Sequence, residues 1–149
     1  MLEFIRKLFV YDKWAIDRSL ATLEKPANSR SQLMLSHILL AEKIWLTRLN
    51  GEDSSSITVF EELSLAECSR LSDELHSAYL EYIDALTEAD LDTIIIYKNT
   101  EGLEFQTAIK GILIHVGLHA VYHRGQVAML VRDGGGEAVS TDFINFTRI

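Results

Sequence analysis

Histidine recurs at every fourth position in the segment His115-Val116-Gly117-Leu118-His119-Ala120-Val121-Tyr122-His123-Arg124-Gly125-Gln126, which is otherwise mostly apolar. In a helix, residues four apart differ by about 40° in direction and about 6 Å in height. Two such imidazoles can close on one ion, as in other helical His-x-x-x-His sites. Three cannot easily do so, because His115 and His123 stand about 12 Å apart along the axis. One of the three is therefore a neighbour of the site, and a further ligand must come from elsewhere. The segment Ser36-His37-Ile38-Leu39-Leu40-Ala41-Glu42-Lys43-Ile44-Trp45 supplies a candidate. His37 stands among Leu33, Leu40, Ile44 and Leu46, which read as the buried stripe of a second helix. A buried imidazole needs a partner. One histidine from that helix and two from the other predict a three-nitrogen site with open positions, which suits a catalytic divalent ion better than a closed structural one. The competing reading is a dry, hydrogen-bonded histidine face that binds nothing. His76 lies among Glu, Asp, Ser and Arg and reads as an exposed helix residue without a role.

The elements that must position these residues follow from periodicity and turn chemistry. A first helix is predicted over about Leu2–Leu23, with Ile5, Leu8, Phe9, Ala15, Ile16, Leu20 and Leu23 near helical spacing, punctuated by Pro26 and Asn28. A second helix starts near Ser29 or Ser31 and stops at Asn50-Gly51. Glu52 to Phe60 reads as a polar, Ser-rich loop. Ser64-x-x-Glu67 resembles a capping box and opens a third helix through Leu71, Leu75, Ala78, Tyr79, Tyr82 and Leu86. Thr93-Ile94-Ile95-Ile96-Tyr97 is β-branched and too short for a helix, and Asn99 to Gly102 offers a turn before Leu103-Glu104-Phe105. A short hairpin is predicted there. The last long helix spans about Thr107–Arg132 and stops at Gly134-Gly135-Gly136. Its apolar residues surround much of its circumference, which places it centrally and turns His115, His119, His123 and Gln126 inward. Gly111, Gly117 and Gly125 weaken it, each by roughly 1 kcal/mol relative to Ala, unless a close neighbour requires them. The apolar segment Thr141 to Phe146 is expected to fold back on the bundle.

The 149 residues suit a single domain, 1–149, with a sizeable core. A 48% hydrophobic fraction and one proline fit a mostly helical protein. The formal charge of −8 argues against nucleic acid as a partner, since phosphate binding needs a cationic face. No stretch approaches the roughly 20 apolar residues needed to cross a bilayer, so no membrane partner is expected. Charges break the N-terminal segment, which has no small-residue cleavage site and does not read as a secretory signal. The single cysteine, Cys68, excludes a Cys-rich zinc site and an intramolecular disulfide, and a reducing cytoplasm is the expected setting. With no histidine close in sequence, Cys68 does not read as a nucleophile.

Taken together, Tyr11-x-x-Trp14-Ala15, His37 with Glu42, His119-x-x-x-His123-Arg124-Gly125-Gln126 and Thr141-Asp142-Phe143 resemble the DinB/YfiT-like family of metal-dependent proteins. The resemblance spans nearly the whole chain, and His-Arg-Gly-Gln is its most specific part. It implies an all-α, up-down-down-up four-helix bundle, commonly a homodimer. It also implies a divalent metal held by His37, His119 and His123, with His115 left as a pocket residue. Characterised members of that family include transferases that use low-molecular-weight thiols such as bacillithiol or mycothiol.

Three functions are therefore weighed. The first is a thiol S-transferase, in which the metal lowers the pKa of a small-molecule thiol. Here Arg124 would steer an anionic thiol or structure the helix, Gln126 would orient a ligand, and Glu42 would accept from an imidazole N–H or form a surface salt bridge. Arg124 and Gln126 are the candidates for a catalytic part. The second is metal-assisted hydrolysis of another small substrate. A zincin peptidase is disfavoured, because Ala120 stands where that motif has its glutamate. The third is a non-enzymatic, metal-stabilised stress-response protein. Imidazole donors suit Zn, Ni, Fe or Cu, with Zn or Ni expected first.

Overall fold

The buried stripe of the first helix, α1 (Leu2–Leu23), runs through Ile5, Phe9, Ile16, Leu20 and Leu23, and Asp12 lies on the same stripe. In the computed structural model, which describes residues 1–23 and 29–148, this stripe packs against α3 (Leu65–Asp84) and α4 (Ile109–Asp133). The turn expected at Pro26 and Asn28 lies outside the described residues. The second helix, α2 (Ser29–Leu49), also contacts α3 and α4 and lies diagonally across from α1.

Cross-helix pairs give the directions. Arg6 meets Asp84 and Lys13 meets Asp73, so α1 and α3 run antiparallel. Ser36 meets Cys68, and the Tyr79 hydroxyl donates to the Glu42 carbonyl, so α2 and α3 run parallel. His37 faces His123 while Trp45 faces His115, so α2 and α4 are antiparallel. The order is therefore up, down, down, up, as expected for an all-α bundle. The core joins Ile5, Phe9, Leu35, Ile38, Leu39, Tyr79, Leu113 and Val116, with Phe9 and Tyr79 ring centroids 4.5 Å apart.

Two parallel neighbours in sequence need a connection that returns along the bundle. Residues 50–64 make that return beside α2. Arg48 donates to the Ser54 hydroxyl at one end, and Gln32 donates to the Leu63 carbonyl at the other. The segment expected to be only a polar loop is thus a wall of the bundle. It ends at Ser64, whose hydroxyl and the Glu67 side chain form the expected capping box of α3.

The predicted hairpin is present as antiparallel strands β1 (Ile94–Lys98) and β2 (Glu104–Ala108), in the register Ile94↔Ala108 to Lys98↔Glu104. Its turn is built by Asn99, whose Oδ1 accepts from the backbone N–H of Glu101 and Leu103, and by Gly102 at φ +81°. Thr107 was expected to open the last long helix. It instead pairs with Ile95, and α4 begins two residues later, because the strand ladder claims its backbone. Close approach does not account for Gly125, around which nothing lies within 4 Å of an added Cβ. At the chain's end a short helix, α5 (Phe143–Thr147), folds back as expected. Phe143 and Phe146 pack on Tyr11, and the Tyr11 hydroxyl donates to the Thr141 carbonyl at 2.6 Å. Among the described residues, no helix is long and apolar enough to cross a membrane.

Candidate metal centre

The antiparallel contact of α2 with α4 brings His37 against His119 and His123. Ring centroids lie 5.2 Å apart for His37–His119, 4.6 Å for His37–His123 and 4.3 Å for His119–His123. One nitrogen from each ring lies within 4.8 Å of the other two. Metal–nitrogen bonds of about 2 Å need nitrogens about 3–4 Å apart, so the three rings would draw together on an ion. His115 does not join it. Its centroid stands 5.6 Å from that of His119, and its ring packs edge-on to Trp45. The structure thus groups His119 and His123, and not His115, with His37.

The surroundings suit three neutral ligands. Nδ1 of His37 meets the Val59 carbonyl at 3.2 Å, and Nδ1 of His123 meets Oε1 of Gln126 at 2.7 Å. Each acceptor holds a proton on Nδ1 and leaves Nε2 as the free lone pair, the usual way in which a ligating histidine is oriented. Burial lowers the pKa of His119 to about 4, and His123, His37 and His115 push it the same way. Burial also lowers that of His37, against the opposing effect of the Val59 carbonyl. A site that resists a proton in this way still offers three lone pairs to a dication. Phe60 stacks on the His37 ring at 4.4 Å and 7°. Among the described residues no Asp or Glu joins the cluster.

Glu42 and Arg124, each read with one role beside the metal and one away from it, both lie outside the histidine cluster. Glu42 was read as an imidazole acceptor or a surface salt-bridge partner. It is neither: it is buried beside Asp12, and the Val59 carbonyl and Gln126 take the Nδ1 atoms of His37 and His123. Arg124 follows His123 by 100° around α4 and so faces α1, where Nη1 pairs with Oδ1 of Asp12 and the guanidinium covers the Tyr11 ring at 5.1 Å. It is 2% exposed. Burial, the Asp12 charge and the hydrogen bond between the two carboxyls hold the Glu42 carboxyl protonated well above its ordinary range. His76, expected to be exposed, is half-buried and lines a small void with Asp12, Glu42 and Tyr79. Cys68 is fully buried and its thiol pKa is pushed up by that burial, which agrees with its exclusion as a nucleophile.

Sequence reasoning missed Asp12, Val59 and Phe60. Asp12 carried a signal, since it stands three residues after Phe9 and four before Ile16 on the apolar stripe. Val59 acts through its backbone carbonyl, which no side-chain pattern reveals.

Comparison with known proteins bears on this geometry. The chain is 25% identical over 160 residues to Protein DinB of Bacillus subtilis strain 168, covering 96% of this chain and 93% of that one. Its fold matches the crystal structure of a DinB-like protein from Bacillus cereus ATCC 10987 with a TM-score of 0.67 and 17% identity, covering 93% of this chain and 95% of the other. The sequence pattern of the DinB family matches residues 18–149, a span that holds all three clustered histidines, and the chain belongs to the DinB family.

Proposed function

We propose that His37, His119 and His123 hold one divalent ion, Zn or Ni, and that the protein is a metal-dependent S-transferase acting on a small-molecule thiol. The observation that carries this reading is a set of three imidazoles, two of them held by Nδ1 acceptors, with no carboxylate among them. When bound, the ion would take a thiol as its thiolate at neutral pH and so make it a nucleophile. The protein's own part is positional. The Val59 carbonyl and Gln126 fix two tautomers, and Phe60 shields one face of His37.

A homodimer is part of the proposal. Phe9, Tyr11 and Tyr79, aromatic residues of α1 and α3, are buried inside the bundle and offer it no surface. A different surface supports it: α4 exposes Leu118, Val121, Tyr122 and Met129 along one side.

The test is elemental analysis of protein purified without an affinity tag, followed by a panel of small thiols with an alkylating electrophile. The expected result is one equivalent of metal per chain and conjugate formation that stops when the metal is stripped. Stoichiometric metal with no conjugate from any thiol would remove the transferase reading and keep the metal site. Absence of bound metal would remove both.

A further inference from the structure

A cavity of about 640 Å³ opens between the C-terminal end of α2, the start of the 50–64 segment and the hairpin. We propose that it binds a small organic carboxylate, anchored by the guanidinium of Arg48. Its volume falls in the range of sites that enclose small molecules.

Arg48 is 8% exposed, yet among the described residues it takes part in no ion pair. Its guanidinium packs against two aromatic rings, 4.7 Å from the Trp45 centroid and 5.0 Å from that of Tyr97, and the two rings meet edge-on 5.0 Å apart. Contact with the rings does not satisfy its in-plane N–H groups. Nε donates to the Ser54 hydroxyl at 3.1 Å. The two Nη groups have no hydrogen-bond partner among the described residues, and Arg48 lines the cavity. Burial of a charge without a counterion is costly, and here it lowers the pKa of the guanidinium. A carboxylate entering the cavity would supply the missing partner, and a rigid, pre-oriented fork suits its two oxygens.

The rim narrows the class. Lys98 adds a second cation, while Glu52, Asp53 and Glu104 bring negative charge to the lining. Such a rim disfavours phosphate dianions and polyanions more than a monoanion. Ile57 and Ile96 provide an apolar wall for the rest of the ligand. The site is separate from the histidine triad: Trp45 and His115 lie between them, with ring centroids 5.2 Å apart. The proposal therefore stands whether or not the metal is catalytic.

The test is an NMR titration of the full chain, following the Arg48 Nε–H and Trp45 indole N–H resonances. The probes are phenylacetate, its neutral counterpart phenylacetamide, and inorganic phosphate. Phenylacetate should shift both resonances saturably with a Kd in the millimolar range or below, and the amide should bind at least roughly tenfold more weakly. Arg48→Lys, which keeps the charge and loses the fork, should weaken phenylacetate by a similar factor. If that variant does not fold, the carboxylate-to-amide comparison on the unaltered protein decides the matter. Equal affinity for acid and amide, or no saturable shift, would overturn the proposal and leave Arg48 as a stacked structural cation. Tighter binding of phosphate than of phenylacetate would overturn the assignment to carboxylates.

Discussion

His123 and Gln126 form a hydrogen-bonded pair across one turn of α4, Nδ1 to Oε1 at 2.7 Å. The pair makes the imidazole tautomer a property of the helix. Replacing Gln126 with Leu should release the ring and lower metal affinity by about 10–100-fold. Gln126→Glu keeps an acceptor and should bind at least as tightly as the parent. Competition against a chromophoric chelator measures both, and an unchanged affinity in Gln126→Leu would remove this role.

The ligand set makes a sharper demand. His37→Ala, His119→Ala and His123→Ala should each lower affinity by roughly two to three orders of magnitude, the loss of one donor in three. His115→Ala should change it little, because its ring stands on Trp45, outside the cluster. Full metal occupancy in a His119→Ala/His123→Ala variant would refute the assignment.

Arg124 and His123 are consecutive yet serve different faces of α4, and this separates their phenotypes. Arg124→Met leaves Asp12 buried without its cation and should cost about 3–5 kcal/mol in urea unfolding. Metal affinity of the folded fraction should change far less than in Gln126→Leu. The reverse pattern, normal stability with lost thiol chemistry, would return Arg124 to the role of a catalytic group.

Most of the bundle was legible in the sequence, because periodicity, the Ser64–Glu67 capping box and the glycine stops act locally. The hairpin was legible too, though the border at Thr107 was not, since strand pairing with Ile95 decided it and that pairing is non-local. At the site, the residue types and spacing named all three histidines, while the family resemblance selected the pair on α4. The supporting groups were harder to read. Phe60 and the Val59 carbonyl reach His37 only because residues 50–64 must return along α2. Glu42 was misplaced because its partner Asp12, on the diagonal helix, was overlooked on the apolar stripe of α1.

The exposed strip on α4 predicts assembly. Leu118 and Met129 are 63% and 53% exposed. If a second copy covers them, the protein should sediment as a dimer at micromolar concentration, and Leu118→Glu/Met129→Glu should sediment as a monomer with unchanged helix content. A parent protein that is already monomeric would dispose of the dimer.

The last prediction concerns pH and lies away from the metal. Glu42 is buried, Oε1 has no hydrogen-bond partner among the described residues, and burial followed by Asp12 raises its pKa well above the ordinary value of 4.5. Above pH 4.5 the unfolded chain therefore releases a proton that the folded chain keeps. Proton uptake then favours the folded state less with each unit of pH, so this group's contribution to stability falls as pH rises from 4.5 toward the raised folded value. Glu42→Gln removes the ionisation while keeping an N–H donor toward Asp12. The variant should be more stable than the parent by about 1–3 kcal/mol at pH 7–8. That advantage should shrink steadily as the pH falls to 4.5 and below, where Glu42 becomes neutral in the unfolded chain as well as the folded one. Urea unfolding of metal-free protein across this range gives the slope directly. A constant difference between variant and parent at every pH would mean that Glu42 ionises normally in the folded protein.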